Sequence, residues 1–437
     1  MNGFRAVVAV LVLGLVQPAH DAAGKYAGPA FPLHVAEDGA YLQDSTGRPF
    51  LIHGDTAWSL IAQLKREDVE LYLDDRSRRG FNALLVNLIE HQFASKAPAN
   101  AYAELPFEMG RAFDNIAEEY FDHAAWVLQR AEEFGFVVFL TPAYLGAGGG
   151  GQGWYLEATQ AGPAALERYG ENIARRFASR ENIVWVHGGD YSPPDKALVR
   201  AVVAGIDRVS PGALHTMHGT RETATADYWA GEQWPSFDTA YTYEDAHAVV
   251  LAQQGSGPER PIVMIEGLYE DEHGTGAETV RRQAYGALLA GAAGHFFGNN
   301  PIWHFDGPGL FPAPNDWRVA LGSPGAESIS HLREIFAELP WWLMSPAGRI
   351  AGLDIEGDAY LAATPDGSFA VGYFPNVSIS RVRAKGLIGE VRWIDPSSGR
   401  RYEPVERTAE EGGTLTPPAP VNATGQRDWF LAIRAGR

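Results

Sequence analysis

The sequence contains no cysteine. That excludes disulfides, a thiolate metal site, a cysteine nucleophile and lipid anchoring on cysteine. Positive charge is also scarce: 35 Lys and Arg stand against 54 Asp and Glu, for a net charge of −19. Nucleic acid and anionic membrane surfaces would repel such a chain, so neither is expected as a partner. No internal repeat, low-complexity linker or HExxH metal motif is visible. The apolar run at 6–16, behind Arg5, is too short for a spanning helix, which needs ~20 residues, but has the length of a signal-peptide core. Small residues at 19–24 offer cleavage positions. Residues 1–24 are therefore expected to be a signal peptide. The mature chain is expected to be periplasmic or secreted, with no membrane contact after cleavage.

What is present describes an ordinary folded protein: 46% hydrophobic and 20% charged residues give ample core material. A length of 437 residues exceeds one ordinary domain and suggests a large and a small one. The 12 Trp, 17 Tyr and 21 Phe suit a sugar-binding cleft, although cores use such rings too.

A hairpin pattern at 31–52 precedes a regular rhythm of apolar strands and helical periods. Strands are expected at 50–55, 81–87, 136–142, 182–186, 214–218, 237–243, 261–267 and 294–299. Helices are expected at 67–79, 122–134, 163–179, 196–209, 245–254 and 279–290. Eight strand-led units over roughly 250 residues match a (β/α)8 TIM barrel. The stretch 91–115 is too long for a plain connection and is expected to wall a site. After residue 340 short alternating runs are separated by turn residues, which predicts a small antiparallel β-sandwich packed on the barrel. The expected division is a barrel with its hairpin over 25–340 and a sandwich over 345–437.

Within that frame the run Ile183-Val184-Trp185-Val186 stops at Gly188-Gly189 and presents Asp190. Strand seven likewise ends in Glu266-Gly267. In a parallel barrel catalytic groups sit at the C-terminal strand ends, where side chains converge over the axis. Glycosidic cleavage needs two carboxyl groups: one protonates the leaving oxygen, the other attacks the anomeric carbon or activates water. Asp190 capping a following helix is the plainer alternative.

A strand-four acid/base with a strand-seven nucleophile resembles the superfamily of retaining barrel glycosidases. More narrowly, three motifs resemble the apiosidase-like glycoside hydrolases: His53-Gly54-Asp55-Thr56-Ala57-Trp58, Trp185-Val186-His187-Gly188-Gly189-Asp190 and Ile265-Glu266-Gly267. The similarity runs from about Phe31 to the end. It implies Asp190 as acid/base and Glu266 as nucleophile, acting on β-linked apiose in pectin side chains. It also implies a C-terminal domain labelled collagen-binding, although nothing in residues 345–437 indicates collagen. An oligosaccharide or polysaccharide is the expected substrate, and no cofactor or metal is required. The mechanism predicts Asp190 protonated beside an ionised Glu266, with ~5–5.5 Å between them for retention.

Supporting roles are expected at other strand ends. Asp55 would bond a sugar hydroxyl or fix a turn. Trp58 would serve as core or as a sugar platform. Asn87 would contact a hydroxyl, and His187 would orient Asp190 or pack in the barrel. His218 lies at strand five, and Tyr241 is placed to bond Glu266. Trp303, with His304 and Asp306, would build the far wall or pack as a loop. Glu270, Asp271 and Glu272 read as a solvated acidic loop, and Asn376 and Asn422 open glycan-acceptor tripeptides. Two other classes stay open: a metal-dependent barrel hydrolase drawing on His53, His187, His215, His218 and His295, and a non-catalytic carbohydrate-binding protein.

Overall fold

The computed structural model describes residues 28–108, 111–254, 259–408 and 412–436. The expected signal peptide lies outside them. Eight parallel strands form the central sheet: β1 (Ile52–Thr56), β2 (Ala83–Asn87), β3 (Val137–Thr141), β4 (Ile183–Gly188), β5 (His215–His218), β6 (Asp238–Tyr241), β7 (Ile262–Glu266) and β8 (Gly294–Asn299). The paired order is β5-β4-β3-β2-β1-β8-β7-β6. The seam between β5 and β6 is bridged instead by Ser236 N–H to His215 O at 2.7 Å and Thr216 Oγ1 to Phe237 O at 2.8 Å. The result is a nearly closed (β/α)8 barrel.

Around it lie α1 (Arg66–Arg78), α2 (Glu118–Glu133), α3 (Pro163–Arg176), α4 (Lys196–Val209), α5 (Ala246–Gln253), α6 (Ala277–Leu289) and α7 (Pro324–Ala337). Sequence reasoning named no helix after strand eight. Its start is nonetheless written in Ser323-Pro324, where the Ser323 hydroxyl caps Ala326 N–H at 3.2 Å and proline opens the first turn.

Strand residues alternate between two packing environments, as a period of two requires. Ile52, Leu85, Phe139, Val186, Val263 and Phe296 fill the barrel interior. Leu84, Val86, Val138, Leu140, Trp185 and Phe297 face the helices. A β-carbon at Gly54 would lie 2.2 Å from the Phe296 ring, so the glycine makes room for that ring across the barrel.

The chain then enters two antiparallel sheets. One contains Tyr360–Ala363, Phe369–Phe374, Trp429–Ala435 and Gly389–Ile394 in that order. The other is led by Leu353–Glu356 and Arg381–Ala384. Leu361, Phe374, Trp393 and Trp429 from the first sheet pack with Val382 and Ala384 from the second, giving a small β-sandwich. It docks on α6 through a buried ion pair, Arg281 with Asp428 at 2.6 Å, and through Tyr285 stacked on Tyr373 at 4.7 Å.

Several local expectations change. Glu270 is buried rather than solvated, and it accepts from Ser323 Oγ and Gly325 N–H, both at 2.6 Å, at the start of α7. Glu272 accepts from Trp303 Nε1 at 2.9 Å. Asn422 is buried with its amide on Asp428, so it is closed to a glycan.

Candidate active site

Asp190, His218 and Glu266 meet at the C-terminal mouth of the barrel, with one polar atom of each within 4.8 Å of the others. Asp190 lies beyond β4 because the chain turns through three successive left-handed residues: Gly188 at φ +92°, Gly189 at +91° and Asp190 at +53°. Glycine adopts that region freely and aspartate tolerates it better than most residues. A β-carbon at Gly189 would meet the Tyr144 ring at 2.3 Å. Tyr144 therefore packs directly against the turn, and its hydroxyl donates to Asp190 Oδ2 at 2.7 Å. Asp190 Oδ1 is buried without a hydrogen-bond partner, although the side chain as a whole is partly open at 23% exposure.

His218 ties the two acids together. The Asp190 main-chain N–H donates to its Nδ1 at 3.0 Å, while its Nε2 lies 2.7 Å from Glu266 Oε2. A nitrogen that accepts from N–H carries no proton, so the ring is the Nε2–H tautomer donating to Glu266. Burial pushes the imidazole down, but Glu266 and then Asp190 push harder, and the balance lies above the ordinary histidine value. The bond from Asp190 N–H opposes that protonation and holds the neutral ring. Tyr243 donates to Glu266 Oε1 at 3.2 Å, and Tyr241 reaches the acid only through Tyr243, at 3.2 Å between hydroxyls.

Burial and the neighbouring Asp190 charge push Glu266 up to about 7, against the pull of His218 and Tyr243. Sequence reasoning placed the retained proton on Asp190; here the upward shift falls on Glu266, the more deeply buried acid.

The remaining expected residues divide. Trp58 is in the site as a buried wall. Its indole donates to Tyr269 Oη at 3.0 Å and its ring meets those of His218 and Tyr144 edge-on. Trp303 joins the same wall through Phe93, a residue of the long connection after β2. Asn87 is buried beside it, with its amide on Glu90 at 3.3 Å and its Oδ1 unpartnered. Asp55 and His187 are not brought to the site. Each sits on the outer face of its strand, out of phase with the inward residues. Asp55 is fully buried against Arg76 and Tyr72 of α1, at 2.5 and 2.7 Å. His187 stacks on His215, with 2.9 Å between ring nitrogens.

Sequence reasoning passed over Tyr144, Tyr243, Tyr269 and Glu90. The three tyrosines lie two or three residues past strands three, six and seven, and that offset is the signal that could have found them. Glu90 accepts from Ser59 Oγ at 2.9 Å and His91 N–H at 2.9 Å, which shapes the loop after β2.

Among the described residues Asp190, His218 and Glu266 are the group with metal-ligand spacing. Their bonds do not suit a metal. The one lone pair of His218 is taken by a main-chain N–H, and His53 pairs with His295 as His187 does with His215. What the arrangement can do is hold two carboxyl groups, one deeply buried and one partly exposed, side by side at the barrel mouth.

Comparison with known proteins agrees in kind. The family described as apiosidase-like, catalytic domain, matches residues 36–343. A solved structure described as a glycoside hydrolase is 22% identical over 93% of this chain and 97% of its own, with a TM-score of 0.78. A glycoside hydrolase family 5 from Bacteroides vulgatus is 22% identical over 92% and 93%, with a TM-score of 0.79. A glycoside hydrolase family 5 mannosidase from Rhizomucor miehei is 14% identical over 71% and 98%, with a TM-score of 0.52. At these identities the likeness is one of fold. No curated protein matches significantly.

Proposed function

The chain belongs to the apiosidase-like glycoside hydrolases, and from that premise we propose that Asp190 and Glu266 cleave a glycosidic bond in pectin side chains, apiose-containing ones included, with retention of configuration. Asp190 is the acid/base. Its side chain keeps 23% exposure, which lets it reach the leaving oxygen and pass it a proton. Glu266 attacks the anomeric carbon as that bond breaks and forms a glycosyl ester. Water then attacks the same carbon, giving its proton to the Asp190 carboxylate and releasing Glu266.

His218 and Tyr243 hold the Glu266 charge and aim it. Tyr144 fixes the other oxygen of Asp190. Retention needs the proton on the acid/base and an ionised Glu266 once substrate is bound.

The observation that carries this reading is the separation. One oxygen of each acid lies within 4.8 Å of the other, close enough for both to act on one sugar ring, as the two carboxyl groups of a retaining enzyme do. The test is a set of pectin-derived oligosaccharides, apiose-containing ones included, with the Glu266→Ala variant as blank and the first-formed anomer read by NMR. Release of the starting anomer, absent in the variant, is expected. The opposite anomer refutes retention, and turnover by the variant refutes the pair. The proposal includes work outside the cytoplasm, supported by the composition of residues 1–24.

A further inference from the structure

A second cleft lies near the barrel end away from the carboxylates. It has a volume of about 430 Å³ and lies where Leu51, Asp238, Ile262 and Ala293 begin or precede strands β1, β6, β7 and β8. Its other walls come from the hairpin at residues 38–41 and the segment 341–346 that leads into the sandwich. The hairpin is pinned there: Gly39, at φ +73°, lies so near Glu259 that a β-carbon would meet its carbonyl oxygen at 2.8 Å.

Three rings line the cleft. Tyr41 meets Trp341 edge-on at 6.0 Å, and Trp341 meets Trp342 edge-on at 6.0 Å. All three are only partly buried, unlike the tryptophans of the core. Among the described residues, two acceptors in the walls lack hydrogen-bond partners. Asp238 is 7% exposed with Oδ1 unpartnered, its nearest cation, Arg260 Nη1, standing at 3.8 Å. Gln253 Oε1 is likewise buried and unpartnered, whereas the adjacent Gln254 amide is committed to Ala290 O. Buried acceptors without partners are rare and call for a donor.

We propose that this cleft is a second carbohydrate site, taking one neutral sugar ring. Its volume is in the range of small-ligand pockets. Half-open aromatic faces stack against the C–H face of a sugar, and the two orphan acceptors match its hydroxyl donors. Asp38, Asp238 and Glu259 outnumber Arg260 in the lining, which disfavours a uronate or phosphate. The site is separate from the hydrolytic one and does not depend on the assignment of Asp190 and Glu266.

The experiment titrates the full chain carrying Glu266→Gln with D-galactose, L-arabinose, L-rhamnose and D-galacturonate, followed by tryptophan fluorescence. A saturable change is expected with a neutral sugar and none with galacturonate. Trp342→Ala is expected to abolish the change, and Gln253→Ala to weaken binding roughly tenfold, each with circular dichroism like the parent. Gln253→Ala keeps the test valid should Trp342→Ala fail to fold. Saturation by galacturonate as strong as by the neutral sugars overturns the proposal. So does undiminished binding in the folded variants, or no saturation by any of the three neutral sugars.

Discussion

Replacing Glu266 by Gln is expected to abolish turnover and, at alkaline pH, to make the protein more stable. The acid lies 4% exposed with Asp190 within 4.8 Å, and its pKa rises from 4.5 to about 7. A carboxyl group whose folded pKa is raised adds stability that is present below the unfolded value and lost as pH climbs through the folded one. A difference of ~2.5, at ~1.36 kcal/mol each, gives on the order of 3 kcal/mol. Most of that is lost between about pH 5 and about pH 8.5. Gln cannot ionise, and its oxygen can accept from His218 while its amide meets the Tyr243 hydroxyl, so the variant escapes the loss. Thermal unfolding of both proteins at the two pH values is the assay. For a cooperative unit of ~400 residues, with an unfolding entropy of ~2.1 cal/mol/K per residue, the variant gains ~3 °C over wild type at the higher pH and little at the lower. Parallel pH profiles for the two proteins would refute the claim that Glu266 is held near its charged neighbour at a stability cost.

Tyr243→Phe removes a donor to the Glu266 anion worth ~1.5–3 kcal/mol. It is expected to lower kcat roughly tenfold or more and to move the acid limb of kcat/KM to higher pH, whereas Tyr241→Phe, one hydroxyl further out, changes the profile little. Gly189→Ala forces a side chain into φ +91° and against the Tyr144 ring. A loss of ~1–3 kcal/mol in urea unfolding is expected, together with lower kcat as Tyr144 shifts off Asp190. Arg76→Ala strands the buried Asp55 carboxylate. It is expected to cost ~3–5 kcal/mol in unfolding free energy while the folded fraction keeps its kcat. A fall in kcat per folded molecule would return Asp55 to the site.

The barrel was legible because its strands are buried on both faces and so read as continuous apolar runs, each closed by a turn. Asp190 after Gly188-Gly189 and Glu266 before Gly267 followed from position alone, since strand ends point to one mouth. The same logic overreached at Asp55 and His187. A residue at a strand end faces the axis or the helices according to its phase, and a shift of one residue reverses it. Asp55 neighbours the inward Gly54 and Thr56, and so turns to Arg76. Tyr241 and Tyr243 show the converse: both lie on the same side, and only the length of chain past β6 decides which hydroxyl reaches Glu266.

Composition and periodicity by themselves determined the eight-strand rhythm, the change of texture after residue 340 and the two acids at the strand ends. These are local properties, set by which side chains water excludes and where glycine lets the backbone turn. Tertiary structure alone decided that His218 joins the acids, that Tyr144 and Tyr243 hold them, and that Arg281 locks the sandwich to α6. Those contacts span tens to more than a hundred residues. They exist only once barrel closure brings distant strand ends within a few ångströms, and no local pattern of residues encodes that distance.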